Sequence, residues 1–225
     1  QNGRPLPTMW GSPGDTGTNN VYDFTAAISD GTNTGSTLTY QVTVTDLNDQ
    51  TPTYSALTTT PSVTEGNTVV ETLTVTDTDS ADVNACTLGG TDFASFTCTV
   101  SGDSVALAFS SGNVPDFENP GSADSDNDYS VTVTISDGTN TGATIAYTVT
   151  VVDANDQTPS YSAGGLTPSL AEGTTAVDSF TVTDTDTGDS NSCTLGGDDA
   201  SDFTCTVSGD SISIAFSSAP DYDSP

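Results

Sequence analysis

"VVDANDQTPSYS", residues 151–162, repeats "VTDLNDQTPTYS", residues 44–55, at a distance of 107 positions. Both stretches close a run in which apolar residues alternate with Thr or Ser, and both place Asp, Asn and Asp ahead of a proline. Alternation at period two marks a strand with one buried face. The same pattern fills "TLTYQVTVTD", "ETLTVTDTD", "YSVTVTIS", "ATIAYTVTVVD" and "DSFTVTDTD", whereas no stretch carries a convincing helical period. A spacing of 107 is the size of a domain rather than of a solenoid repeat. Strand-forming segments separated by turn signals at this density predict an all-β chain of tandem β-sandwiches.

Charge restricts what such a chain can bind. Of 225 residues, 31 are acidic and one, Arg4, is basic, for a formal charge of -30. Nucleic acid and anionic membrane surfaces both require Lys and Arg, so neither is expected as a partner. No apolar run approaches the length of a membrane span, and membrane insertion is not expected. Self-repulsion at this charge density opposes compaction unless cations are recruited from solution. Without His or Lys, a Ser or Cys nucleophile has no ordinary base, and the acidic pairs that could hydrolyse a glycoside recur with the period as structural groups would. An enzyme is therefore not expected. A carbohydrate-binding role would need an exposed aromatic platform, but the aromatic residues mostly occupy strand positions that should face the core.

The acidic residues keep a fixed order within the period. Glu65 in "VTEGN" comes first, then Asp77 and Asp79 in "DTD", Asp116 and Glu118 in "PDFENP", Asp137 in "SDG", and Asp153, Asn155 and Asp156 in "DAND". The other copies supply Asp30, the linker residues Asp46, Asn48 and Asp49, then Glu172, Asp184 and Asp186, and the pair Asp221 and Asp223. Taken singly, each Asp suits a turn; turn chemistry gives no reason for Glu65 and Glu172.

The cysteines repeat as well, with Cys86 and Cys98 matched by Cys193 and Cys205. "CTLGGTDFASFTC" sets two of them around a Gly-Gly turn where a hairpin could bring them opposite, so one disulfide per copy, Cys86–Cys98 and Cys193–Cys205, is expected. Each would contribute on the order of 3 kcal/mol. Four buried free thiols are the other reading of the same spacing. Oxidised cysteines would place the chain outside the cytosol.

This order of motifs resembles the cadherin repeat: an acidic residue near the start, a DxD, a central DxE, a DxG-like turn and a closing DxND linker before a proline. The resemblance covers essentially the whole chain and implies Greek-key β-sandwich (cadherin/Ig-like) repeats. In that frame residues 1–50 hold the later strands and linker of one repeat, 51–157 a complete repeat, and 158–225 the earlier strands of a third. It further implies Ca2+ at the junctions, about three ions at each, held by carboxylates and amide oxygens of both neighbours. The internal junction would use Glu65, Asp116, Glu118, Asp153, Asn155, Asp156, Asp184 and Asp186. The second set, Glu172, Asp221 and Asp223, would meet Asp46, Asn48, Asp49, Asp77, Asp79 and Asp137 of another copy, and Asp30 would reach the internal junction of its neighbour.

Residues 1–16 align with 108–123, so that Met9 and Gly11 stand where the DxE acids should be. Each acidic motif occurs twice, which fits copies joined head to tail in an extracellular filament by strand addition. A segment of a longer tandem-repeat adhesin, or an accessory module of a secreted protein, would carry the same inventory. A surface receptor or glycan remains open as a further partner.

Overall fold

The computed structural model describes residues 19–55, 58–80, 83–161 and 166–224. Met9 and Gly11, and the alignment that concerns them, lie outside these residues. The middle part of the chain forms a sandwich of two four-stranded sheets. One contains β3 (Thr53–Tyr54), β5 (Val69–Thr76), β8 (Ser104–Phe109) and β7 (Phe96–Ser101) in that order. The other contains β4 (Ser62–Thr64), β10 (Thr141–Val152), β9 (Asp128–Ser136) and β6 (Ala85–Gly89), with β4 and β10 parallel and the remaining pairs antiparallel.

Strand alternation sets what is buried. In β9, Tyr129, Val131, Val133 and Ile135 point inward while the intervening Ser and Thr face outward. They meet Leu73 of β5 and Val105 and Leu107 of β8. β-branched residues are stiff at χ1 and pack well on a pleated face, which suits a core this rich in Val. The whole buried core cluster found among the described residues lies between Val63 and Val151.

Local chemistry then joins the two sheets. Cys86 and Cys98 form a disulfide, as do Cys193 and Cys205. The sequence suggested a hairpin between the two cysteines, but Cys86 lies on β6, which pairs with β9, and Cys98 on β7, which pairs with β8. The bond therefore ties one sheet to the other. At the turn between them Gly90 has φ +95, and a Cβ there would lie 2.8 Å from the Ser130 carbonyl oxygen. Close approach and a left-handed conformation together require glycine.

Before and after the sandwich in the chain, the described residues form one sheet each. β1 (Val21–Ala26) and β2 (Leu38–Thr43) form a two-stranded hairpin whose register, Val21 opposite Thr43, matches that of β9 and β10. After the sandwich, β11 (Ser160–Tyr161), β12 (Ala176–Thr183), β14 (Ser211–Phe216) and β13 (Phe203–Ser208) repeat the β3-β5-β8-β7 sheet. Short 3-10 turns at Phe93–Ser95 and Ala200–Asp202 repeat too.

Tyr54 is a second cross-sheet tie, since its hydroxyl donates to the Ala143 carbonyl and accepts from the Ile135 amide at 3.2 Å. Removing the hydroxyl leaves both backbone groups without that partner, at a cost of about 1–3 kcal/mol. Tyr54→Phe is expected to lower the stability of the middle sandwich by this amount in chemical denaturation. An unchanged midpoint and slope would mean that the hydroxyl is not a structural tie.

Candidate metal centre

The linker after β10 is built around Glu65. This residue follows β4 at the turn marked by Gly66 (φ +74) and is only 7% exposed. One carboxylate oxygen accepts the Phe117 amide at 2.7 Å, and the other accepts the Ala154 amide at 2.8 Å. Glu65 thereby holds the "PDFENP" loop and the "DAND" linker against the same end of the sandwich. Asp186 of the following unit accepts the Gln157 amide at 2.9 Å, and Asp153 of the linker accepts both the amide and the hydroxyl of Thr187 from that unit. Backbone donors thus fix one oxygen of several carboxylates and leave the others free to converge.

Convergence is close. Carboxylate oxygens of Glu65, Glu118 and Asp156 lie within 4.8 Å of one another, as do those of Glu118, Asp153 and Asp186. Glu118 belongs to both groups, so they form one continuous cluster across the linker. Both oxygens of Glu118 and one each of Asp153 and Asp186 are buried with no hydrogen-bond donor. Asp186 itself is 8% exposed. Buried acceptors are ordinarily paired, so a set of donorless oxygens gathered at one point marks a place where a cation fits.

The electrostatics follow the same geometry. Burial, reinforced by the charges of Glu65 and Asp153, raises the Glu118 pKa. Burial raises that of Asp186, with Asp184, Asp153 and Asp156 adding repulsion. Asp153 moves the other way because the Thr187 hydroxyl and amide both donate to it. Among the described residues no Lys, Arg or His approaches the cluster, since the only basic residue of the chain is Arg4.

The linker after β2 repeats the construction. Asp46 accepts the Ser80 amide, and Asp79 accepts the Gln50 amide at 2.7 Å. Oxygens of Asp77, Asp79 and Asp137 lie within 4.8 Å of one another, and a donorless oxygen of Asp77 is buried there. Asn48 bridges to Asp137 and Asn140: its amide donates to the Asp137 carbonyl at 3.3 Å and its oxygen accepts from Asn140 at 2.9 Å. A third group, Glu172, Asp221 and Asp223, converges to the same distance but is exposed.

Several expected ligands stand outside these groups. The Asp30 carboxylate caps its own turn through the Thr32 and Asn33 amides and remains exposed, whereas the equivalent Asp137, equally capped, is 2% exposed because Asn48 and the first linker cover it. Asp116 accepts the Asn119 amide, Asp184 accepts the Asp186 amide, and Asp49 accepts from the Gln50 side chain. Asn155 lines an open cleft beside Asp184. Sequence reasoning passed over Asp92, which is buried and accepts the Ala123 and Ser130 amides, both at 2.7 Å. Its recurrence as Asp199 at the 107-residue spacing was the available signal.

No protein-family model and no curated protein matches the sequence. Solved structures do. Human CDH23 EC21-23 superposes with a TM-score of 0.56 at 19% identity, over 91% of this chain and 66% of that one. The protocadherin gamma-B3 EC1-4 fragment gives 0.54 at 20% identity, over 94% and 52%. The protocadherin gamma-B4 extracellular domain gives 0.52 at 22% identity, over 92% and 33%. The chain therefore has a cadherin-like fold, and it spans 40%, 52% and 33% of the length of the first three protocadherin structures that it matches.

If the donorless oxygens of the cluster are the ones a cation neutralises, a neutral isostere at their centre has a clear signature. Glu118→Gln is expected to tighten the cation-free linker, seen as slower amide exchange at Ala154 and Gln157 in chelator, and to weaken divalent-cation binding about tenfold or more. Unchanged exchange and unchanged cation titration would remove Glu118 from the site.

Proposed function

We propose that the protein is a non-catalytic extracellular module of the adhesion type: a rod of cadherin-like units stiffened by calcium at the linkers, with copies joined head to tail into a filament. The observation that carries the reading is the set of donorless carboxylate oxygens of Glu118, Asp153 and Asp186, drawn together from both sides of the linker. A hard cation that takes six to eight oxygen ligands suits several carboxylates gathered at one point. Calcium, when bound, supplies the positive charge that the chain itself lacks.

The chain's own residues do the rest. Glu65 orients the linker through Ala154, Asp186 grips it through Gln157, and Asp153 anchors the "DTD" loop of the next unit through Thr187. These bonds set the direction in which one unit leaves the other. Carboxylates of Glu118, Asp153 and Asp186 repel when unscreened, so the linker is a charged hinge without the cation and a stiff joint with it. The site residues proposed for the two linkers are those named from the sequence, with Asp49, Asn155 and Asp184 taken as ligands that close on the ion and about three ions per junction. Disulfide-closed units and a cadherin-like fold support an extracellular location.

A second reading is favoured by the length of the matched ectodomains, of which the chain spans between 33% and 52% in the protocadherins. Within a longer polypeptide of such units, the same open sheets would be covered by neighbours in the same chain. Light scattering of the 225-residue chain in millimolar calcium separates the two: particles that grow with concentration support the filament, and persistent single chains support the longer stalk.

Chelation is expected to accelerate proteolysis near Asp49 and Asp156 while each disulfide-closed unit stays folded. Equal cleavage with and without calcium would sink the hinge. Asp156→Ala should lower calcium affinity about tenfold or more, against little change for Asp189→Ala, which lies outside the motifs. Comparable titrations for both variants by calorimetry would remove Asp156 from the ligand set.

A further inference from the structure

The middle sandwich shows what each of its neighbours would look like when complete. Tyr147, Val149 and Val151 of β10 are at most 2% exposed, yet their equivalents Tyr40, Val42 and Val44 are 42%, 45% and 52% exposed. Phe24 and Leu38 add to the same open face of the hairpin, and Phe24 stacks on Tyr40 at 4.8 Å. The third unit has the opposite half. A cleft of about 450 Å³ opens over Tyr161, Phe180, Val182 and Ile212, whose equivalents Tyr54, Leu73, Val75 and Val105 pack in or against the core of the sandwich.

The ring geometry repeats with one member missing. Phe96 and Phe109 lie 4.5 Å apart, and Tyr129 meets both edge-on at 6.1 and 5.1 Å. Phe203 and Phe216 also lie 4.5 Å apart at nearly the same tilt, with no edge-on tyrosine among the ring contacts of the described residues of the third unit. The residue equivalent to Tyr129 one period earlier is Tyr22 of β1.

Two backbone segments of the third unit lie outside any strand. Residues 192–196 correspond to β6, and 169–171 to β4, the strands that flank β9 and β10. The 192–196 segment is nevertheless held beside the sheet, because Cys193 is bonded to Cys205 of β13.

Resting on the head-to-tail reading, we infer that the β1–β2 hairpin of a second copy inserts between residues 169–171 and 192–196 in the register of β9 and β10. By the pairing of Cys86 with Ile135 and of Val63 with Val151, Cys193 would face Ile28 of the second copy and Leu170 would face Val44 of the second copy. Tyr22 of the second copy completes the ring cluster on Phe203 and Phe216. The Asp199 carboxylate accepts the amide of the second copy's Asp23, as Asp92 accepts that of Ser130. The occupant is a copy of this chain because the hairpin that fits is present in it, with the residues, register and spacing already packed in its own middle unit.

This docking also completes both cation clusters. Asp30 of the second copy arrives beside Asp184 and Asp186, as Asp137 stands beside Asp79 and Asp77. The second copy's linker at Asp46 to Asp49 arrives beside Glu172, Asp221 and Asp223, as Asp153 to Asp156 reach Glu65 and Glu118. Sheet closure and cation binding are thus one event, and the Cys193–Cys205 bond prearranges the strand that receives the hairpin.

Amide exchange on the native, disulfide-intact chain in millimolar calcium, run alongside light scattering, tests the register. Assembled particles should protect residues 192–196 and 169–171 about a hundredfold or more over the dissociated chain in chelator. Val42→Asp, a change at an exposed position of its own chain, should abolish assembly and leave the melting of the middle sandwich unchanged. Cys193→Ser with Cys205→Ser should weaken assembly about tenfold or more through loss of the held strand. Particles that form while residues 192–196 exchange at the dissociated rate would overturn the register and leave the head-to-tail reading standing. Single chains at every concentration would overturn that reading and this inference with it.

Discussion

Carboxylates gathered within 4.8 Å of one another, in a chain whose only cation is Arg4, set the terms for everything else in this molecule. Like charges at that distance repel, and the buried ones among them have surrendered the water that would screen them. The fold tolerates this by spending backbone amides on one oxygen of a carboxylate and aiming others at a common point. Glu65 is the clearest case, with each oxygen accepting an amide from a different segment, so that it positions the loop and the linker whether or not a cation is present. Glu118 has no such support, and its elevated pKa follows from burial beside Glu65 and Asp153.

The same sequence pattern occurs in three degrees of completion, which separates what strands do alone from what packing adds. β1 and β2 pair in the same register as β9 and β10, so register comes from the local pattern and the turn. Burial does not. Val149 is fully buried and Val42 is not, although the flanking residues are nearly identical, because among the described residues only the middle unit has a facing sheet. The Phe203 and Phe216 pair keeps its spacing without an edge-on tyrosine, which shows that β13 and β14 are enough to set that contact. A carboxylate cluster likewise depends on the neighbour: Asp137 and Asp30 cap identical turns, and among the described residues only the one covered by a linker joins other carboxylates.

How much was legible in the sequence follows from this difference. Period-two alternation and the 107-residue spacing were enough for the all-β sandwich, and the repeated cysteines for the pairing Cys86–Cys98. Which sheet each cysteine belongs to was not legible, since Gly89 and Gly90 look like a hairpin turn, and the β6–β9 pairing that excludes one links residues far apart in the chain. Asp92 was passed over for a related reason: its role is to accept amides of residues 123 and 130, and nothing near it in sequence reports that contact. Asp153, Asp156 and Asp186 come close to other carboxylates because a short linker restricts where they can go.

On the proposed reading, a chain that recruits its positive charge from solution would couple its mechanics to its surroundings. Lysines at the linkers would have neutralised the same carboxylates permanently, and would have made each joint indifferent to the ion outside. On the proposed reading, carboxylates alone would leave the joint loose until a divalent ion arrived, with the gain on binding largest where the oxygens are already buried and oriented. The donorless oxygens of Glu118, Asp153 and Asp186 are therefore the counterpart of the uncovered faces on the hairpin and the third sheet. Each is a surface held in an unfavourable state among the described residues, electrostatic in the first case and apolar in the second, and the proposed cation and second copy would relieve them.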